Sequence, residues 1–190
     1  ILTYNNQWGK HNFGAMLGYS MRQQQYRYMW GKANNVPEGK DEWLYLSQGN
    51  AEGVTLGDDG YCYRGQSYFT RLSYDYAGKY LLTFTMRADG SSKFSPDNRW
   101  GFFPSGAIGW RVSDESFFKN VSWLKKNVDN LKLRFSYGQV GNDQIASYAY
   151  AQTLASSSRQ AVFGDGTISA LYTNRMANPD ISWEVTEEFN

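Results

Sequence analysis

The residues best equipped for chemistry in this chain are few and scattered. His11 is the only histidine, and it sits beside a Trp8-Gly9-Lys10 turn with no partner in sequence to orient it. A structural or solvated role is expected for it, not acid–base catalysis. The acidic pairs Asp58-Asp59, Asp114-Glu115 and Glu187-Glu188 are adjacent carboxylates, whereas glycoside hydrolysis needs two carboxylates at a set distance across a substrate. Gly57-Asp58-Asp59-Gly60 and Gly164-Asp165-Gly166 read as turns, without the ligand spacing of a calcium loop. Cys62 is the one cysteine, so neither an intrachain disulfide nor a cysteine zinc set is available. The expectation is a chain that is no enzyme and holds no metal and no cofactor.

The remaining candidates are aromatic. Trp30, Trp43, Tyr45, Tyr61 and Tyr63 fall within one long polar stretch. Flat rings stack on sugar faces, and binding residues collect on loops carried by a rigid scaffold. These five are the expected ligand-binding residues; the bland reading is that they pack the loop against itself or against a partner.

The elements that must carry them are strands. Aromatics make up 17% of the chain and Gly reaches 19 residues against 4 Pro, while mean hydropathy is −0.63. That combination suits β-structure with one polar and one apolar face. A formal net charge of +1 gives no field that would draw nucleic acid. No run approaches the roughly 20 apolar residues of a membrane-spanning helix. Barrel strands need only about 9–11 residues, with every second one apolar.

Five segments alternate with period two. Residues 13–22 place Phe13, Ala15, Leu17, Tyr19 and Met21 on one face, with Met16 the exception on the other. Residues 66–76 set Tyr68, Thr70, Leu72, Tyr74 and Tyr76 against Ser67, Arg71, Ser73 and Asp75, with Phe69 out of place among the polar ones. Residues 80–89 set Leu82, Phe84 and Met86 against Thr83, Thr85 and Arg87. Residues 100–113 set Trp100, Phe102, Ile108 and Trp110 against Gly101, Ser105, Gly109 and Arg111. Residues 131–139 set Leu133, Phe135 and Tyr137 against Lys132, Arg134 and Ser136. Strand-like runs at Ile1-Leu2-Thr3-Tyr4 and Trp183-Glu184-Val185 suggest that both ends belong to something longer.

The links alternate in length. Trp8-Gly9-Lys10 and Ala77-Gly78-Lys79 are tight turns. With Gly78 left-handed, Asp75 is predicted to face Lys79, Tyr74 to face Tyr80 and Leu72 to face Leu82. Residues 114–127 are predicted to form a short helix or two helical turns, capped by Ser113 or Asp114 and carrying Lys125 and Lys126 at the C-terminal end. The links of about 23–65, 90–99 and 141–180 are long. Chain parity places these three on one rim and the compact connections on the other, as in outer-membrane barrels. The apolar face carries Tyr and Trp near the strand ends, like an interfacial girdle. The opposite face holds Gly, Ser and the charges Arg71, Asp75, Arg87, Asp89, Arg111 and Arg134, which suits a plugged or watery lumen.

Several long motifs strengthen this reading. Tyr76-Ala-Gly-Lys-Tyr-Leu-Leu-Thr-Phe-Thr-Met-Arg-Ala-Asp-Gly-Ser-Ser-Lys-Phe94 continues through Asn98-Arg-Trp-Gly-Phe-Phe-Pro-Ser-Gly-Ala-Ile-Gly-Trp-Arg111. Ser113-Asp-Glu-Ser-Phe-Phe118, Leu131-Lys-Leu-Arg-Phe-Ser-Tyr-Gly-Gln-Val-Gly-Asn142 and Asn178-Pro-Asp-Ile-Ser-Trp-Glu184 follow in order. Together they closely resemble the barrel of the SusC/RagA family of TonB-dependent outer-membrane transporters, over essentially the whole chain apart from the variable loops. The resemblance implies an all-β fold, with antiparallel strands forming six or seven of the strands of a 22-stranded transmembrane barrel. It implies one short periplasmic helical link, extracellular loops at about 23–65, 90–99 and 141–180, and a plug and TonB box outside this chain. It implies import of oligosaccharides or peptides across the Gram-negative outer membrane. The implied partners are a SusD-like surface lipoprotein, the TonB–ExbB–ExbD complex and outer-membrane lipid, with no nucleic acid.

At Asp89-Gly90-Ser91-Ser92 the expectation is turn chemistry, with Gly90 at positive φ. Two rivals stand beside the transporter reading. A soluble glycan-binding β-sandwich would need a complete core and closed edges within the chain. A barrel enzyme would need a His/Ser/Asp constellation that the sequence lacks.

Overall fold

The computed structural model describes residues 1–36, 45–121, 123, 127–163 and 166–190, with the side chains of 48, 50, 51, 156–163 and 166–170 left aside. The chain divides into two compact units, residues 1–22 with 64–190, and residues 23–63.

The first unit is an antiparallel meander. Its strands are β1 (Leu2–Trp8), the first half of β2 (His11–Asn34), the second half of β3 (Asn50–Tyr76), β4 (Tyr80–Ser91), β5 (Trp100–Arg111), β6 (Lys132–Asn142) and β9 (Glu184–Phe189). They form a sheet in the order β1-β2-β3-β4-β5-β6-β9. Between β6 and β9 the chain makes an excursion carrying β7 (Thr153–Phe163) and β8 (Gly166–Arg175), which pair only with each other, in a sheet of their own. The seven strands of the main sheet agree with the expected six or seven.

The period-two segments are all strands, but two of the links expected to be long are not irregular. β2 runs on from Arg22 to Asn34 and β3 begins at Asn50, so most of 23–65 is a β-ladder. The 141–180 link likewise holds the β7–β8 hairpin.

The β3–β4 turn corrects the predicted register. Ala77 joins Gly78 at positive φ, 57° and 69°, and the Lys79 N–H donates to the Tyr76 carbonyl at 3.0 Å. Two successive left-handed residues make the mirror-image turn that matches strand twist. Tyr76 therefore faces Tyr80, Tyr74 faces Leu82 and Leu72 faces Phe84, two residues away from the predicted pairing. Asp75 does not face Lys79; its carboxylate accepts the Gly78 N–H at 2.7 Å. Because the displacement is even, every side chain keeps its predicted face.

The β5–β6 link is helical over part of its length, as expected, but its cap is not the expected one. A 3-10 turn at Val112–Asp114 leads into the one-turn helix α1 (Ser116–Lys119). Glu115, not Ser113 or Asp114, occupies the N-cap position, and it makes no side-chain cap. Ser113 is buried, and Asp114 pairs with Arg111 and Lys119, both at 3.4 Å. Lys125 and Lys126 lie outside the described residues.

The compact connections gather at one end of the sheet. The Ala77 N–H donates to Lys10 O at 2.7 Å, and the Arg111 N–H donates to Lys79 O at 2.8 Å, so the turns after β1, β3 and β5 are neighbours. Burial is sparse: Phe94, Phe103, Val112 and Phe118 are the buried apolar residues among those described. A soluble sandwich would cover its apolar face with a second sheet. Here Phe135 is 72%, Ile108 61%, Leu82 48% and Phe84 43% exposed on that face. The β-sandwich alternative is therefore not what the chain forms.

Candidate functional site

An exposed apolar face runs across the first unit. Along β4, β5 and β6 the register sets Leu82 beside Ile108 and Ile108 beside Phe135, with Trp110 beside Leu133. Their period-two partners Thr83, Ala107 and Ser136 form a row across the same strands. That row, with Thr85, Ser105 and Gly138, lines a shallow concavity on the other face. One face is thus a continuous uncharged apolar band and the other a polar hollow.

Aromatic rings bound the band at both ends. At the compact end Tyr76 stacks on Tyr80, with ring centroids 6.3 Å apart, and Trp110 approaches Phe117 at 6.3 Å. His11 joins this belt: its ring lies 4.8 Å from that of Tyr76, and its Nδ1 is 2.7 Å from the Tyr74 hydroxyl. At the opposite end Tyr19, Tyr68 and Trp100 make a chain of rings at 4.9 and 5.9 Å. From Tyr68 to Tyr76 along β3 is roughly 26 Å at about 3.3 Å per residue, or about 20 Å along a barrel axis at a tilt of about 40°. That is the order of the apolar band of an outer-membrane barrel, about 25 Å tall.

A polar cluster closes the compact end. The Glu115 carboxylate accepts from Lys79 Nζ at 3.0 Å, the Tyr80 hydroxyl at 2.8 Å and the Trp110 indole at 3.3 Å. The hydrogen bonds from Tyr80, Lys79 and Trp110, in that order of weight, hold the Glu115 carboxyl below the usual carboxylate range. The same contact with Glu115 raises the Lys79 ammonium above its ordinary value. This explains the uncapped helix start: Glu115 is turned toward the sheet and ties three elements together.

The motif loop after β4 plays a role that turn chemistry alone does not describe. Gly90 is not at positive φ; a Cβ there would meet the Trp100 ring at 3.1 Å, so glycine serves close packing. Ser91 is fully buried, and its hydroxyl donates to Asp143 Oδ2 at 2.9 Å. Lys93 Nζ donates to the Asp143 carbonyl at 2.9 Å. Ser95 Oγ and Asn98 Nδ2 donate to the Pro179 carbonyl at 2.9 and 3.0 Å. The Trp183 indole donates to Arg99 O at 3.1 Å and lies against Phe94 and Phe103, with centroids at 5.1 and 5.3 Å. The Phe103 ring occupies the space above Gly141 where any side chain would stand. Phe69, the other aromatic on the polar face, likewise lies over Gly18.

Trp30, Tyr45, Tyr61 and Tyr63 belong to the second unit, a ladder of 23–34 with 50–63 and a 3-10 turn at Leu46–Gln48. Trp43 lies outside the described residues. Trp30 is 49% exposed, and its indole lies close against Gly57. Tyr61 stacks on Tyr26 at 5.5 Å, and Tyr26 lies 5.8 Å from Tyr28. Tyr45 is exposed just before the 3-10 turn; Tyr63 is half-buried. The structure thus brings Tyr61 to Tyr26 and Tyr28, which sequence reasoning missed. The available signal was the alternation Tyr26-Arg27-Tyr28-Met29-Trp30, which puts three rings on one row of a strand.

An exposed apolar band between two aromatic belts, backed by a polar concave face on an antiparallel meander, defines a stretch of β-barrel wall. No family model matches the chain. It is similar to TonB-dependent receptor P3 of Formosa agariphila, 37% identical over 192 residues that take in 100% of this chain and 18% of that protein. It is similar to TonB-dependent receptor SusC of Bacteroides thetaiotaomicron, 42% identical over 127 residues, 65% of this chain and 12% of that protein. Among solved structures it resembles the RagAB peptide importer in its closed-closed state, with a TM-score of 0.79 and 24% identity, over 98% of this chain and 20% of that one. The last likeness bears on fold alone. Along its length the chain is similar to TonB-dependent receptors, SusC among them, and it spans less than a fifth of the length of these curated relatives.

Proposed function

We propose that this chain forms part of the wall of a 22-stranded outer-membrane barrel that imports oligosaccharides by the TonB-dependent route. The observation that carries the reading is the exposed band of Leu82, Phe84, Ile108 and Phe135 between two aromatic belts, which water would disfavour and lipid would cover. In this reading the compact connections face the periplasm, and the regions 23–65, 90–99 and 141–180 face outward. A plug fills the barrel, TonB–ExbB–ExbD supplies energy, and a SusD-like lipoprotein assists capture at the surface. Trp30, Trp43, Tyr45, Tyr61 and Tyr63, joined by Tyr26 and Tyr28, contact the ligand. Oligosaccharide is favoured over peptide because exposed rings of Tyr26, Tyr28 and Tyr61 lie together, with the Trp30 indole close against Gly57. Such rings offer faces for pyranose C–H groups, and their hydroxyls serve as polar edges.

The test is deletion of the gene for the full-length parent, followed by growth on single oligosaccharides and on peptide mixtures. Loss of growth on a defined oligosaccharide, restored by the intact gene, is expected. Loss confined to peptides would replace the substrate assignment, and recovery of the parent in the soluble fraction would overturn the membrane reading.

A further inference from the structure

The bonds around Ser91, Asp143 and Trp183 join three segments that are distant in sequence. The β4–β5 connection is held to the residue that follows β6, through Ser91 and Lys93 on Asp143. It is also held to the residues that precede β9, through Ser95 and Asn98 on Pro179 and through Arg99 on Trp183. Asp143 and Pro179 are the two stems of a single excursion whose body is β7 and β8. At its base the Asn178 N–H donates to Tyr150 O at 3.2 Å, closing the stems on each other. The family-like motifs end at Asn142, next to Asp143, and resume at Asn178, so they border or include the pinned stems and leave the hairpin between them out. The hairpin pairs with itself, and its exposed Leu154, Leu171 and Met176 are not needed to complete the main sheet.

We propose that Ser91, Lys93, Asp143, Asn98 and Trp183 form a clasp that holds the β7–β8 hairpin as an arm with a fixed base, structurally separate from the wall. These are positioning residues. They set where the arm stands, while the wall takes its stability from its own ladders and from lipid. The proposal rests on the barrel reading for its setting, but its readout is geometric and does not depend on what is transported.

The experiment uses the full-length parent in outer-membrane vesicles, in a Cys62→Ser background. Spin labels at Leu154→Cys on β7 and Phe102→Cys on β5 report the distance from arm to wall, and heat-modifiable gel mobility reports the folded barrel. With the clasp intact the distance distribution is narrow. Asp143→Ala is expected to broaden it at least about twofold, while Asp143→Asn, which keeps an acceptor for the Ser91 hydroxyl, restores the narrow form. Replacing residues 152–176 by a short Gly-Ser linker is expected to leave heat-modifiability unchanged. An unchanged distribution in Asp143→Ala would overturn the proposal. Loss of the folded band in the arm-less variant, or loss of it in Asp143→Ala with the arm-less variant intact, would also overturn it, because the arm or the clasp would then belong to the wall.

Discussion

Lys79 in the β3–β4 turn and Glu115 at the start of α1 meet at 3.0 Å, joining two connections between which the chain runs through β4 and β5. The side chains are 27% and 13% exposed, sheltered enough for the contact to fix geometry. Glu115 is held below the usual carboxylate range, so its stabilising contribution is complete above its ordinary value of 4.5 and is lost as pH falls through the lowered one. Lys79, held above its ordinary value, contributes fully below that value and loses its contribution as pH rises through the raised one. Both are charged across neutral pH. Glu115→Gln in the full-length parent should lower the temperature at which the folded gel band disappears at neutral pH. It should also remove part of the wild type's fall on acidification to about pH 3. Superimposable pH curves for the two proteins would refute the role given to this pair.

The two faces of β4 predict opposite outcomes for neighbouring positions. Phe84 stands on the apolar band and Thr85 lines the polar hollow. Arg on a lipid face near the midplane costs roughly 2–4 kcal/mol. Phe84→Arg should therefore deplete folded barrel in outer-membrane fractions, whereas Thr85→Arg should leave it largely intact. Equal damage, or more damage at Thr85, would invert the assignment of lipid and lumen.

Sidedness can be read on intact cells. In a Cys62→Ser parent, a membrane-impermeant thiol reagent should label Tyr45→Cys and Asp97→Cys, in the β2–β3 and β4–β5 connections. Trp123→Cys, in the β5–β6 link, should react only after lysis. Labelling of Trp123→Cys alone on intact cells would turn the barrel upside down.

The aromatic ladder predicts graded binding losses. Aromatic contacts contribute about 0.5–1.5 kcal/mol beyond area burial, about 2- to 12-fold in Kd. Trp30→Ala and Tyr61→Ala should each weaken oligosaccharide binding by that order. Tyr26→Ala should do at least as much, since it also removes the ring on which Tyr61 stacks. Titration calorimetry on purified parent protein measures this, and unchanged affinity in all three would remove the ladder from the ligand site.

Much of the wall was legible because a barrel strand writes its two faces directly into alternate residues. Leu82, Phe84, Thr83 and Thr85 could be sorted without coordinates. The register at Tyr76–Tyr80 was not, because Ala77 adopts a left-handed conformation that nothing in its side chain announces. The extension of β2 to Asn34 was missed because Gly, Asn and Gln among the tyrosines look like loop composition, although Tyr26, Tyr28 and Trp30 keep period two. Glu115 read as one of an unremarkable acidic pair, since its three donors come from residues 79, 80 and 110. The clasp was equally hidden. Its parts were recognisable as motifs, but their convergence depends on chain returning across a long excursion.

The turn at Ala77-Gly78 displaced the β3–β4 pairing by two residues without disturbing either face. A wall of this kind therefore has something like a reading frame with a period of two. A change in turn length that slides the pairing by an even count is silent, because Arg71 and Arg87 still point to the hollow. A slide of one is a frameshift, exchanging those arginines with Thr70, Leu72 and Met86 across the sheet. Variation at the compact end is filtered by parity, while the connections at the other end can grow by any length. The asymmetry between short and long connections follows from this arithmetic as much as from any demand of the ligand.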